Sequence, residues 1–469
     1  LRTGDIVARE NDGKYLIASI YYLVGNIIGQ GIVLLSSSIF TRMMSKEAYG
    51  LVSTYSAWVL VLNTFIGLNL FITVRNAYID YREEYHKFVS SVLLLSLIAF
   101  LIFTGLIVSI LALWNRKTDL FVVFLAALQA ISVHTINMQM AVYSMENRYK
   151  SRTMLMIFPN VVHTILSVIL IAVYTSNQYY GKILGNVFGL VIFAIVIIIY
   201  NFKNEKPVIN KEYWRYATQI AVPGIMLTLS DLILMQSDRI MLTDMVGADE
   251  TAVYSLVYNI GSILIALYTA INGAWTPWFY KNLAIGEISL TRKVEAVYIK
   301  VFVLITMGLL TVSPEVIKIL SPETYWRGVD YVNLIVFASF LIFVYAFFTA
   351  YLMYLKKPGV IAKNTAMVAV LNIILNYMLI PRYRAVGAAM ATIISYIILF
   401  MLHYRAAIQY KKSVFCRREM MIGILGMALY CGIFYFIRNN WVIRYGVVIL
   451  IIVFLGIEFM HYRKSKNLK

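Results

Sequence analysis

The sequence predicts an all-α polytopic membrane protein, and three observations carry that prediction. The 469 residues are 61% hydrophobic and only 14% charged, whereas soluble domains average roughly 45–50% apolar and about 25% charged. The apolar residues fall in long runs with almost no charge, such as 88–114 and 187–200. Runs of about 18 or more such residues are long enough to cross a bilayer as helices. Lys and Arg are also placed unevenly between successive runs, as membrane topology requires.

About fourteen transmembrane spans follow. They lie near 15–41, 48–73, 88–113, 119–143, 154–175, 180–200, 217–240, 251–279, 299–320, 330–355, 360–380, 386–404, 419–437 and 441–460. The division between 154–175 and 180–200 rests on a short loop at 175–182. The stretch 251–279 is too long for a straight crossing, so it should tilt or project beyond the bilayer. Numbered from the N-terminus, the odd non-membrane segments hold most of the 41 Lys and Arg residues. Cytoplasmic loops are the basic ones, so both termini are expected in the cytoplasm of a bacterial plasma membrane. The clusters Lys411, Lys412, Arg417, Arg418 and Arg463, Lys464, Lys466 fit that side. The formal net charge of +18 is therefore a topology signal. Dispersed over many short loops, it does not describe a nucleic-acid surface.

Cys416 and Cys431 are the two cysteines, one in a loop and one in a helix, so no disulfide framework is expected. The opening "LRTGDIVARENDGK" has mixed charge and does not read as a cleavable signal peptide. The missing initiator Met suggests a fragment or an unusual start codon. No Walker A loop, dinucleotide fingerprint, HExxH or Cys/His cluster occurs, so no cofactor, metal or catalytic residue is expected. Energy input should then come from an ion gradient or from consumption of the substrate on the far side.

The longest polar break in the first half, 201–217, reads as a cytoplasmic linker between two pseudo-symmetric six-helix lobes. Residues 1–200 would form the first, spans 1–6, and 218–405 the second, spans 7–12. Residues 406–469 would add spans 13–14 and a basic tail. "KEAYGLVSTYSAWVL" from Lys46 and "ETAVYSLVYNIGSIL" from Glu250 open the second and eighth spans alike. Transporters are often built from such repeats, with the substrate site between them.

The best organised local pattern is "YLKKPGVIAKNTAMVAVLNIILNYMLIPRYRAVGAAMATIISY", residues 354–396. Lys356, Lys357 and Pro358 form a basic turn. Asn372 and Asn376 share one helix face. Pro381 ends that helix, and Gly387, Ala388, Ala389 and Ala391 open the next with residues small enough for close approach. The expected structure is a helical hairpin held by interhelical Asn hydrogen bonds.

This stretch resembles polysaccharide flippases of the MOP superfamily, the Wzx-like exporters of lipid-linked oligosaccharides. So do "SDRIMLTDMVGADETAVYSLVYNIG", "AINGAWTPWFYKNL", "SPEVIKILSPETYWRGVDYV" and "GLNLFITVRNAYIDYREEY", in the family's order. The resemblance covers most of the chain. Arg384 departs from it, standing in an outer turn where such sequences usually carry Gly. The resemblance implies two lobes in a V around a cavity that opens alternately to each side. The implied task is moving an undecaprenyl-pyrophosphate-linked oligosaccharide from the cytoplasmic to the outer face for capsule, exopolysaccharide or related surface-polysaccharide synthesis. Polysaccharide polymerase and assembly proteins would be further partners. The chain would not be an enzyme.

A pyrophosphate needs cations, and Arg offers it bidentate hydrogen bonds. Arg75, near the cytoplasmic end of span two, is the first candidate. Arg42 and Arg239 would stand near the outer face, with Lys281 and Arg148 as weaker cations at cytoplasmic ends. Sugars need hydrogen-bonding groups, for which Asn26, Gln30, Asn63 and Asn259 are candidates. Gln129, His134, Asn137, Gln139, Asn160, His163 and Asn272 are further polar residues within spans. Helix–helix hydrogen bonding is the competing role for each of these. Trp275, Trp278 and Tyr280 beside Pro277 are expected to pack as an interfacial belt.

The span containing "LTLSDLILMQSDRIML" raises a separate question, because ionised groups are costly in a membrane. Asp238 and Arg239 fall about 31–33 Å along a helix that begins near Ala217, at the outer interface. Asp231 lies about 10 Å deeper, on the face of Asp238. It is the candidate for gating or ion coupling, and its face should look into protein or a wet cavity. A drug/ion antiporter of the same superfamily, a peptidoglycan-precursor flippase and a membrane glycan polymerase are the alternatives. The antiporter would call for a carboxylate-rich cavity, and Asp231 is the one acidic residue placed deep in a span.

Overall fold

The apolar runs fold as helices throughout, in a computed structural model that describes residues 2–114, 119–410 and 414–467. Lys411 and Lys412, and the side chains of Arg463, Lys464 and Lys466, lie outside the described set. In chain order the helices are α1 (Arg2–Met43), α2 (Lys46–Ile66), α3 (Thr73–Asp80), α4 (Tyr85–Trp114), α5 (Leu120–Met145), α6 (Tyr149–Val173) and α7 (Gln178–Asn204). There follow α8 (Lys211–Met245), α9 (Ala248–Ala284), α10 (Ile288–Leu320), α11 (Val332–Tyr354), α12 (Pro358–Ile408), α13 (Arg417–Ile437) and α14 (Trp441–Asn467).

Among the described residues, 12 helices are long and apolar enough to cross a membrane. The 51-residue α12 is two spans in one, because Arg384 breaks it at φ 53°, ψ −131°. The apolar stretch Trp441–Phe454 of α14 completes the expected set. The hairpin expected from Asn372 and Asn376 forms at that break. Both are fully buried. Asn372 Nδ2 donates to Ser395 Oγ at 3.1 Å, and Asn376 Nδ2 donates to Asn372 Oδ1 at 3.1 Å. Gly387 admits the Leu379 carbonyl where a Cβ would clash. The first half runs on past Pro381 to the break at Arg384.

The chain divides into two compact units, Leu1–Asp249 and Glu250–Lys469. In the first, α8 packs against α2 and α4. A buried core of Leu70, Val74, Phe88, Val92, Met138, Tyr213 and Ala217 joins α3, α4, α5 and α8. A second core, including Val59, Ile66, Ala130, Ile183 and Val187, joins α2, α5 and α7. Polar caps start the helices where the chain re-enters: Ser45 Oγ accepts from Ala48 N–H, Asp119 Oδ1 from Phe121 and Val122 N–H, and Asn210 Oδ1 from Glu212 and Tyr213 N–H.

Two stretches depart from the expected spans. The second span was expected to run to residue 73, but α2 ends at Ile66. Gly67 abuts the His134 ring, and Leu68 and Asn69 take positive φ of 47° and 55°. Asn69 Nδ2 then donates to Thr228 Oγ1 on α8 at 3.1 Å, fixing the bend. The ninth span was expected from 299, whereas α10 begins at Ile288, just after Gly286 turns the chain at φ +85°. In the second unit Trp275 is 7% exposed and stacks on Phe279, with Tyr298 and Phe347 beside it. It is a core aromatic of α9, α10 and α11 rather than the belt residue expected.

Candidate functional site

The tightest helix pairing in the first unit sets up the site. Gly181, Gly185 and Gly189 recur every four residues along one face of α7. A Cβ on any of them would lie under 3.0 Å from atoms of α6, at Leu170, Ser167 and His163 respectively. Small residues at this spacing let two helix backbones approach closely. The α6–α7 hairpin is thereby fixed, and its other side faces α1 and α5.

There, α1, α5, α6 and Leu190 of α7 enclose a cavity of about 450 Å³. Asn26 and Gln30 of α1, Gln129 and Asn137 of α5, and Asn160 and His163 of α6 line it together. The spacing explains the convergence. Asn26 and Gln30 are one turn apart, as are Asn160 and His163, while Gln129 and Asn137 are two turns apart. Gly25 lets α1 rest on Thr153 and Met156 of α6. Pro159, also in the wall, cannot donate to the carbonyl four residues back.

Part of this polar lining is spent on structure. Tyr55 Oη donates to Gln129 Oε1 at 3.0 Å, and Asn160 Nδ2 donates to Met156 O at 2.7 Å. His163 Nε2 lies 3.2 Å from Asn160 Oδ1. The half-buried Asn26, Gln30 and Asn137 make no side-chain hydrogen bond among the described residues. Their amides are available to a solute. Among the described residues no Asp, Glu, Lys or Arg lines the cavity. Such a site presents neutral donors and acceptors, the chemistry of hydroxyl recognition.

Cations stand beyond each end of the α6 wall, and sequence reading missed both. Arg152, about 12 Å before Asn160 along the helix, lies over the Tyr22 ring at 3.9 Å. Lys182 is 7% exposed near the other end. Its Nζ donates to Asn186 Oδ1 at 3.0 Å and Ser167 Oγ at 3.3 Å, and sits 3.6 Å from the Phe40 ring centre. Lys182 was counted into the loop at 175–182, but α7 starts at Gln178. The glycine stripe beginning at Gly181 was the available signal.

The remaining candidates lie elsewhere. Arg75 is exposed on α3, beyond the bend, and not at the end of the second span itself. Arg42 is exposed in the last turn of α1 and donates to Ser38. Arg239 donates to Gln236 Oε1 at 2.5 Å. Asn63 is half-buried on α2, its Oδ1 without a hydrogen-bond partner among the described residues. Asn259 belongs to α9 in the second unit. Asp231 is exposed on α8, whereas Asp238, two turns on, is fully buried. His134 and Gln139 are structural: His134 Nε2 is 3.0 Å from Ser96 Oγ, and Asn201 Nδ2 donates to Gln139 Oε1 at 2.8 Å. Arg148 is exposed and lies 3.6 Å from Glu146, and Lys281 is exposed in the last turn of α9.

Known proteins place the fold. A search of curated proteins finds no significant match. Among solved structures, the lipid II flippase MurJ in an inward closed conformation is similar at a TM-score of 0.70 and 14% identity, covering 96% of this chain and 99% of that one. An inward-facing multidrug resistance MATE family transporter of the MOP superfamily matches at 0.58 and 16%, covering 83% and 99%. An outward-facing one matches at 0.58 and 13%, covering 85% and 96%. Residues 17–283, more than half of the chain, match the family described as polysaccharide biosynthesis protein. The chain belongs to that family, on the fold of the MOP-type flippases and transporters.

Proposed function

We propose that this protein is a flippase that carries undecaprenyl-pyrophosphate-linked oligosaccharide from the cytoplasmic to the outer face of a bacterial plasma membrane, by alternating access between its two repeats. The observation that carries the reading is the cavity of Asn26, Gln30 and Asn137. Three unspent neutral amides, with no charged residue in the wall among the described residues, suit a sugar. The family match to polysaccharide biosynthesis supports the same substrate class. Arg152, half-buried before the cavity on α6, is a candidate cation for a diphosphate that enters or leaves there, whereas Lys182 is committed to Asn186 and Ser167. Arg75, exposed on α3, is a further candidate for loading it.

A second reading, flipping of a peptidoglycan precursor, is favoured by the similarity to a lipid II flippase. It uses the same chemistry, a diphosphate joined to sugars. The multidrug transporters share the fold, but among the described residues a cationic drug would find no carboxylate in this wall.

The two readings separate in proteoliposomes holding the purified chain. Fluorescent undecaprenyl-pyrophosphate oligosaccharide should cross at a protein-dependent rate, at least about tenfold above fluorescent lipid II, a discrimination worth about 1.4 kcal/mol. Faster lipid II would establish the second reading. Movement of a cationic dye with neither lipid would overturn both.

A further inference from the structure

The second unit holds a cavity of opposite character. It measures about 740 Å³ and lies where the first turns of α10 and α13 meet. Among the described residues, Arg292 and Lys293 of α10 and Arg417 and Arg418 of α13 line it, against one carboxylate, Glu419. Arg292, Lys293 and Arg418 form no ion pair among the described residues.

The walls are anchored. Phe415 is 4% exposed and wedges against Phe348 and Tyr351 of α11, with ring centres 4.8 and 5.3 Å away. Cys416 N–H donates to Oε2 of the buried Glu295 at 3.2 Å, and Cys416 Sγ lies 3.0 Å from Arg292 O. Gly423 lets α13 close on Ile299 and Val303 of α10. Burial, a hydrogen bond with Glu419 and the nearby Glu295 carboxylate push the Cys416 thiol up to about 12. The thiol stays protonated and brings no negative charge to the cavity.

Position limits the ligand. Both helices are candidate spans, and the cavity sits at their first turns, on the side that the basic loops assign to the cytoplasm. Basic pockets between membrane helices on that side suit phosphate-bearing headgroups, and Arg presents paired donors to phosphate oxygens. We propose that this cavity is a phosphate-binding site for the headgroup of an anionic phospholipid of the cytoplasmic leaflet. Arg292 and Arg418 are its principal donors. Free phosphate carries the same chemistry, so the test includes it.

The purified full chain is exchanged into nanodiscs of phosphatidylcholine with a fixed minor fraction of phosphatidylglycerol, then released for native mass spectrometry. The wild type should retain phosphatidylglycerol at least fivefold above its share of the nanodisc lipid. R292Q/R418Q should lose that enrichment, while K363Q, a control at a cation outside the cavity, should keep it. Enrichment unaffected by millimolar inorganic phosphate supports a lipid source. Binding of inorganic phosphate alone, lost in R292Q/R418Q, keeps the phosphate site and replaces the lipid by a soluble source. Equal retention of both lipids by the wild type with no phosphate bound, or unchanged retention in a folded R292Q/R418Q, overturns the proposal. Thermal denaturation verifies that the double variant is folded, and R292K/R418K should restore part of the enrichment.

Discussion

The two cavities differ in how they could recognise a ligand. The first-unit cavity is walled by amides, an imidazole and apolar groups, with Arg152 and Lys182 held off beyond its ends. The second-unit cavity is walled, among the described residues, by four cations and one carboxylate. Neutral amides discriminate by geometry and by the penalty of leaving a buried partner unmatched. Cations attract by charge, and salt weakens that attraction where the site is open to solvent. The first suits a neutral, hydroxyl-bearing ligand and the second a phosphate-bearing one. Raising salt should therefore weaken lipid retention at the second cavity more than sugar-dependent transport through the first.

The sharpest break of this comparison is removal of the unspent amides. N26L/N137L should lower the initial flipping rate about 5- to 160-fold, since two hydrogen bonds at roughly 0.5–1.5 kcal/mol each would be lost. Its membrane level should match wild type. An unchanged rate, measured at equal protein in proteoliposomes, would take these residues out of the sugar site. Smaller is the effect of disturbing the scaffold. G185A drives a Cβ into the backbone of Ser167 and should cost about 1–3 kcal/mol by overpacking. G29A, in the cavity wall with nothing within 4 Å, should leave the melting temperature nearly unchanged. Equal melting temperatures for the two variants in detergent would mean that the glycine stripe does not hold the hairpin. The smallest effect concerns the second unit. R384G relieves a positive φ and should raise stability by about 1 kcal/mol, with transport untouched. A lower melting temperature would show that the Arg384 side chain contributes more than its backbone strain costs.

Much of the fold was legible because bilayer crossing imposes a blunt rule of length and apolarity. The Asn372–Asn376 ladder was legible too, since both partners sit on one helix and the small residues after Pro381 announce the neighbour. The bend after Ile66 was hidden, because "GLNLFI" carries neither proline nor charge and is apolar enough to continue a span. That misplaced Arg75. Asn26 and Gln30 could be put on one face by their spacing alone. Their meeting with Gln129, Asn137, Asn160 and His163 could not, because it depends on α1 docking against α5 and α6, which periodicity within one helix does not encode. Lys182 was hidden because it falls at the edge of a short polar loop, where a lysine reads as solvated. A lysine one residue after the first of three glycines spaced by four belongs to the packed helix, and its ammonium must then find Asn186 and Ser167. Asp231 and Asp238 illustrate the converse limit: a shared helix face does not give two residues the same environment.

The central claim is that the sugar is read by the amide cavity of the first unit. The direct measurement is photo-crosslinking with an undecaprenyl-pyrophosphate oligosaccharide that carries a diazirine on its sugar, followed by peptide mapping. The account predicts label on α1, α5 and α6 around Asn26, Asn137 and Asn160, competed by unlabelled oligosaccharide lipid. Competable label confined to other helices, with none on these three, would contradict it.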